Sequence, residues 1–332
     1  MKKILIFSFP FLLSNNLLAE ENEKTKPSDF YKKSISIVET YQNNFSNYMY
    51  KSAYYIDDYW KKSEQEEYIS KEDNKSFGIF KMGTSYSSKD NLDAQIRMKL
   101  KYHLPNMKKN MNLFFDINDD TNETLSSKSN IIKNNHSEDK LSGGVVYEKN
   151  KGKWRRNYKI GAKISFPFNP FIKAEIYRDK TLADNLNLFI KQEAFYYKEE
   201  GLGAATHFDF QYNLKNNDYL GASYTIQYLK EEQWELFSNY TYFKNINNKN
   251  SLKYSIGAIK KEDNNIDNVR YWTNIRWRHQ LHKEWLFLKV TPEISFENIY
   301  DYSAEYKVLL ELEMFFGTKK GIKKGIKKYR YR

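Results

Sequence analysis

Acid–base or metal chemistry in this chain would have to come from five histidines, His103, His136, His207, His279 and His282. No two of them stand at metal-ligand spacing with a carboxylate on one helix face. No metal and no cofactor is therefore expected. His279 and His282 are three residues apart, which in a regular strand sends them to opposite faces. His207 and Asp209 share one face of an alternating segment, and Ser223 lies in the segment that follows. A serine beside a histidine could support acyl transfer. The sequence leaves their register open, and the plainer reading of His207 is a polar residue lining an interior. There is no cysteine, which excludes thiolate chemistry, disulfides and a lipid-modified N-terminal cysteine. No catalytic residue is assigned, and the chain reads as a non-enzyme.

Charges carry more information. Arg270, Arg276 and Arg278 fall on one face of one segment, and Lys289, Glu293 and Glu297 on one face of the next. Glu305, Lys307, Glu311 and Glu313 follow on the last, and Lys81 with Arg97, Lys99 and Lys101 begin the series. Each would cost a few kcal/mol on a lipid-facing surface, so as a set they must line a wet interior. If the ends of the alternating region pair, Glu311 and Glu313 meet Lys81 and the Arg97–Lys101 row. Two readings stay open. The charges are a selectivity lining for charged solutes, or a cross-strand salt-bridge network that fills a narrow lumen.

The elements that must position these residues are strands. From Ala304 to Gly317 one alternate set is Ala304, Tyr306, Val308, Leu310, Leu312, Met314 and Phe316, and the other is mostly charged. A strand separates such sets onto two faces, whereas a helix mixes them. About fourteen segments share this habit, near 76–87, 91–103, 109–117, 142–149, 154–166, 170–178, 185–198, 202–214, 218–229, 232–244, 249–260, 268–281, 285–297 and 302–316. Twelve is the alternative count, with 142–149 the weakest segment. Pro292 on the apolar face argues for a bulge or a local kink. The reading is an all-β, transmembrane, antiparallel up-and-down β-barrel. Aromatic residues make up 17% of the chain, including 28 Tyr, which suits interfacial girdles.

The flanks differ. Residues 1–19 read as a signal peptide: Lys2 and Lys3, a ten-residue apolar run to Leu13, and Ala19 before the cut. Residues 20–75 form a periplasmic or plug segment, helical from about Asp29 to Lys62 with an interruption near Asn43–Asn47. The barrel spans 76–317. Residues 318–332 are a basic tail holding Gly321-Ile-Lys-Lys and then Gly325-Ile-Lys-Lys. Setting aside two signal lysines and eight tail cations, the net charge of +12 leaves a nearly neutral body, which excludes a nucleic-acid-binding domain. The tail reads as a solvated extension, or as a binder of anionic lipid or peptidoglycan. The Asn/Ser-rich stretch 118–141 reads as an extracellular loop.

Several short segments support a resemblance: Tyr54-Tyr55-Ile56-Asp57-Asp58-Tyr59-Trp60, Leu104-Pro105, Asn169-Pro170-Phe171-Ile172-Lys173-Ala174 and Glu200-Gly201-Leu202-Gly203. Trp285-Leu286-Phe287-Leu288, Pro292-Glu293-Ile294-Ser295 and Phe316-Gly317 complete the set. In this order they resemble an uncharacterised family of Gram-negative outer-membrane β-barrel proteins. The resemblance covers most of residues 45–317 and implies the barrel and its outer-membrane address only. The aromatic close of the last segment resembles the assembly signal of such proteins, although sixteen residues follow it here. The partners this implies are the barrel assembly machinery and outer-membrane lipid. The expected function is a porin-like passive channel for small polar or charged solutes; the alternative is a structural or interaction protein with a filled lumen.

Overall fold

The computed structural model describes residues 27–59, 74–89, 91–104, 110–117, 141–164, 168–230, 233–263 and 266–329. The signal segment and nearly all of the 118–141 loop lie outside the described residues.

Fourteen strands form: β1 (Phe77–Ser87), β2 (Asn91–His103), β3 (Met111–Ile117), β4 (Leu141–Lys151), β5 (Trp154–Ile164), β6 (Asn169–Ala183) and β7 (Leu186–Tyr197). They continue as β8 (Gly201–Asn213), β9 (Tyr219–Leu229), β10 (Gln233–Asn245), β11 (Asn250–Asp263), β12 (Ile266–His282), β13 (Leu286–Glu297) and β14 (Ala304–Gly317). Each pairs antiparallel with its sequence neighbours. β14 returns to β1 in continuous register from Phe77↔Gly317 to Ser87↔Lys307. Closure means that every strand has a neighbour on both sides and the sheet has no free edge strand. With an even strand count, both ends of the barrel chain emerge at one rim. The count of fourteen agrees with the sequence reading, including β4.

The period of two sorts side chains onto two walls. Leu92, Ile160, Leu202, Ile256 and Tyr306 stand out from the outer wall with 60–74% of their surface exposed. Soluble proteins rarely expose a continuous apolar band of this kind, and hydrocarbon is its natural surrounding. No described helix is long and apolar enough to cross a membrane, so any crossing is made by strands.

The expected irregularity at Pro292 takes a different form. Pairing between β12 and β13 lapses opposite Thr291 and Pro292, then resumes in the same register, because proline removes one donor without adding a residue. The bulge sits instead between Gln280 and His282. The extra residue corrects the histidine geometry. His279 is opposite Leu288 and His282 opposite Leu286, which share a face, so both histidines point to the same side.

The chain divides into two compact units, residues 1–41 and 42–332. Helix α1 (Pro27–Tyr59) begins in the first and ends in the second. It runs without the break expected near Asn43–Asn47. In the second unit, Gln42 Nε2 donates to the Phe315 carbonyl at 3.3 Å and the Gly317 N–H donates to Ser46 Oγ at 2.9 Å. The Phe45 ring lies 5.6 Å from Phe316. These contacts hold the polar stretch to the end of β14. Its expected extension to Lys62 lies outside the described residues.

The basic tail also departs from a solvated extension. Residues Lys319–Tyr329 form helix α2. Thr318 caps it: Oγ1 accepts the Gly321 N–H at 3.1 Å and donates to the Asn74 carbonyl, while the Thr318 N–H reaches the Ser76 carbonyl at 3.2 Å. The cap thus ties the helix to the start of β1. Thr318→Ala is expected to cost the helix about 1 kcal/mol. This should appear as faster tryptic cleavage at Lys319–Lys324 with unchanged gel mobility of the folded barrel.

Candidate functional site: the charged inner wall

The expected seam forms. Lys81 lies opposite both Glu313 on β14 and Arg97 on β2. Glu313 accepts from Lys289 Nζ at 2.8 Å and Arg278 Nη2 at 3.0 Å, with Lys81 Nζ at 3.5 Å. Glu311 accepts from Arg97 at 2.5 Å and Lys289 at 3.0 Å, with Lys81 at 4.0 Å. Two carboxylates therefore hold four cations from β1, β2, β12 and β13. Lys101 pairs with Glu148 on β4. Lys99 stands opposite Asp116 on β3, and Arg276 opposite Lys253 on β11.

Farther along the same strands, Arg270 contacts Glu293 at 2.5 Å and Glu297 at 2.9 Å, and Asn274 donates to Glu293 at 3.2 Å. Glu305 accepts from Ser87, Ser295 and Lys307 at 2.6, 3.1 and 2.9 Å. Each named pair joins adjacent strands, next-but-one strands or residues of one strand, so these contacts run along the wall.

His207 is placed by register. It lies opposite Thr225, while Ser223 lies opposite Asp209. The sequence possibility of a Ser223–His207 pair is therefore corrected: the hydroxyl 2.8 Å from His207 Nδ1 is that of Thr225. His207 Nε2 lies 2.8 Å from Glu193, which also accepts from Lys173 at 2.6 Å and Lys191 at 2.9 Å. With two ammoniums on its carboxylate, the imidazole is one link in a polar wall.

Sequence reasoning missed three things. Lys253 is an inward cation on β11. A second cluster, Lys159, Lys173 and Lys191 with Glu175 and Glu193, occupies β5–β7. Their alternation was readable, but nothing local marked these strands as partners. The third is a set of inward aromatic rings. Phe114 and Phe171 are 6.3 Å apart across two intervening strands. A Cβ at Gly161 would come within 3.2 Å of both. Trp272 covers Gly257 and Phe195 covers Gly203 in the same way. The glycines make recesses in the wall, and the rings occupy them instead of projecting along the axis.

At the rim where the chain ends emerge, the inner wall turns apolar. Phe77, Ile79, Phe287 and Phe315 face inward and are buried. Phe287 and Phe315 meet edge to face at 5.9 Å, and the Arg278 guanidinium sits 3.4 Å above the Phe287 ring.

Fold and inner wall together define a closed antiparallel barrel with an apolar outside and a charged inside. The chain is similar to OmpT, an outer membrane protein of Vibrio cholerae, at 8% identity over 75% of this chain and 99% of that one, with a TM-score of 0.46. It is similar to OccK11 of Pseudomonas aeruginosa at 10% identity, 75% and 99% coverage and a TM-score of 0.45. It is also similar to an anion-selective porin from Comamonas acidovorans at 9% identity, 73% and 99% coverage and a TM-score of 0.44. No protein-family model and no curated protein matches the chain.

Proposed function

We propose that this chain is an outer-membrane barrel that passes small polar solutes and favours anions. The carrying observation is a charge imbalance on six consecutive strands, β11 to β14 and then β1 and β2. In the half of those strands nearer the chain ends, eight inward cations (Lys81, Arg97, Lys99, Lys101, Lys253, Arg276, Arg278 and Lys289) share the wall with two inward carboxylates, Glu311 and Glu313, and the adjoining β3 and β4 add only Asp116 opposite Lys99 and Glu148 against Lys101. The overall balance of the inner wall hides this local excess. A stripe of one sign raises the local concentration of the opposite ion. The recessed rings support the reading, because they take up aromatic bulk without filling the axis.

The measurement is the reversal potential of the refolded protein in a planar bilayer under a salt gradient. Anion preference is expected. At about 8 Å in water a unit charge is worth about 0.5 kcal/mol, or roughly twofold. Because each charge favours anions and disfavours cations by that factor, Lys253→Gln with Arg276→Gln should lower the anion-to-cation permeability ratio roughly twentyfold at low salt, and less at high salt. A current whose selectivity ignores both substitutions would sink the reading. The second reading, a barrel with a structural or partner-binding role, draws on the position of α2 at the mouth. It expects the same substitutions to alter stability alone.

A further inference from the structure

We propose that helix α2 is a built-in plug, seated on the inward rings of Phe77 and Phe315, which closes the barrel mouth from which the chain ends emerge. The inference rests on the reading of the lumen as a passage.

The path of the chain turns α2 toward the axis. Gly317 has φ +122, and a Cβ there would lie 2.6 Å from the Ser76 carbonyl oxygen. Only glycine makes that turn without strain. Past the Thr318 cap, the Gly-Ile-Lys-Lys repeat places a glycine every fourth residue, which on a helix is one face. Both glycines are contact points. A Cβ at Gly321 would lie 2.1 Å from the Ser76 carbonyl oxygen, and one at Gly325 would lie 2.9 Å from Phe77 and 3.4 Å from Phe315. Phe77 shares a face with Lys101, its partner in register, and Phe315 shares a face with Ile79. The second turn of α2 therefore lies against inward-facing side chains. Lys319, Lys320, Lys323 and Lys324 keep much of their surface exposed.

Lys324, beside Gly325, feels the charges of the inner wall. Its pKa is pushed below the usual lysine value by loss of hydration, then by the charges of Lys101 and Lys75, with Glu148 opposing. Lys101 and Glu148 are inward residues of β2 and β4, so the end of α2 that carries Lys324 feels charges of the inner wall, while the helix itself packs on β1 and β14.

The dimensions fit. Fourteen strands about 4.8 Å apart and tilted about 40° give a backbone diameter of about 28 Å, less inside the side chains. Eleven residues of helix span about 16 Å and are about 10 Å wide. A helix of that size, hinged at the rim, reaches across more than half of that backbone diameter, and the side chains on both narrow what is left. Its seat, Phe77 and Phe315, belongs to the apolar inner rim that Ile79 and Phe287 complete.

The test uses a single thiol, since the chain has no cysteine of its own. Ile79→Cys places it on the inward face, opposite Phe315 of the α2 seat in register. In the otherwise intact, refolded protein a small water-soluble methanethiosulfonate should modify it slowly. Adding Gly325→Leu drives a side chain into Phe77 and should raise the modification rate at least about tenfold, as expected when a local closure is lost. Single-channel current should rise with it. Ile322→Asp, which keeps both glycines, is the second variant and decides the matter if Gly325→Leu does not fold. Fast modification of the intact protein, or an unchanged rate in the folded variants, overturns the plug. A faster rate with no current upholds the plug and overturns the passage. Anion-selective current that ignores both variants upholds the passage and overturns the plug.

Discussion

Glu313→Gln is expected to lower the unfolding free energy of the barrel by about 3–5 kcal/mol, the usual cost of removing one partner from a buried ion pair. Glu313 is 1% exposed. Its oxygens are contacted by Lys289, Arg278 and Lys81, which come from three other strands, one of them across the closing seam. The amide keeps the shape and removes the charge, leaving four neighbouring cations with Glu311 alone. The expected readout is a lower urea midpoint for the heat-modifiable folded band in lipid vesicles. Glu305→Gln should cost less, because Ser87 and Ser295 hold opposite oxygens of the carboxylate: one hydroxyl can donate to the amide oxygen and the other can accept from the amide nitrogen. A loss below about 1 kcal/mol at Glu313, in the range of an exposed pair, would mean that lumen water solvates the seam cluster.

A charge on the outer wall should be equally damaging where the wall meets hydrocarbon and harmless at the rim. Ile256 lies midway along β11 with 61% of its surface exposed. Ile256→Arg is expected to cost about 2–4 kcal/mol in a bilayer, against about 0–1 kcal/mol for Leu214→Arg beside the rim turn after β8. Both positions are open, so packing does not distinguish them; only the surrounding medium does. Equal, small effects in vesicle-refolded protein would show that the outer wall faces water and would remove the membrane from the proposal.

The strand pattern was legible because a strand has a period of two and a barrel wall has two unlike sides. Ala304–Gly317 alone displays the apolar and charged sets, and the segments at 91–103 and 202–214 match β2 and β8 to within one residue at each end. The even count followed from repeating that pattern. Closure then carried the sequence further, since pairing the last strand with the first places Glu311 and Glu313 against Lys81 and Arg97. Within one strand, composition and order were enough.

Tertiary structure decided whatever depended on register or on a distant partner. Whether His207 faces Ser223 or Thr225 is a shift of two residues, and no local feature of β8 or β9 sets it. The bulge beyond Gln280 brought His279 and His282 to one side by a single inserted residue, whereas at Pro292, where a bulge or a kink was expected, pairing lapses with no change of register. The tail shows the same division. Its charge and its four-residue repeat were plain, yet a repeat says only that one helix face is special. That the face carries glycines because it rests on Ser76, Phe77 and Phe315 depends on the barrel having closed first. Residues more than two hundred positions apart meet at that rim, and sequence proximity holds no information about contacts made across such a separation.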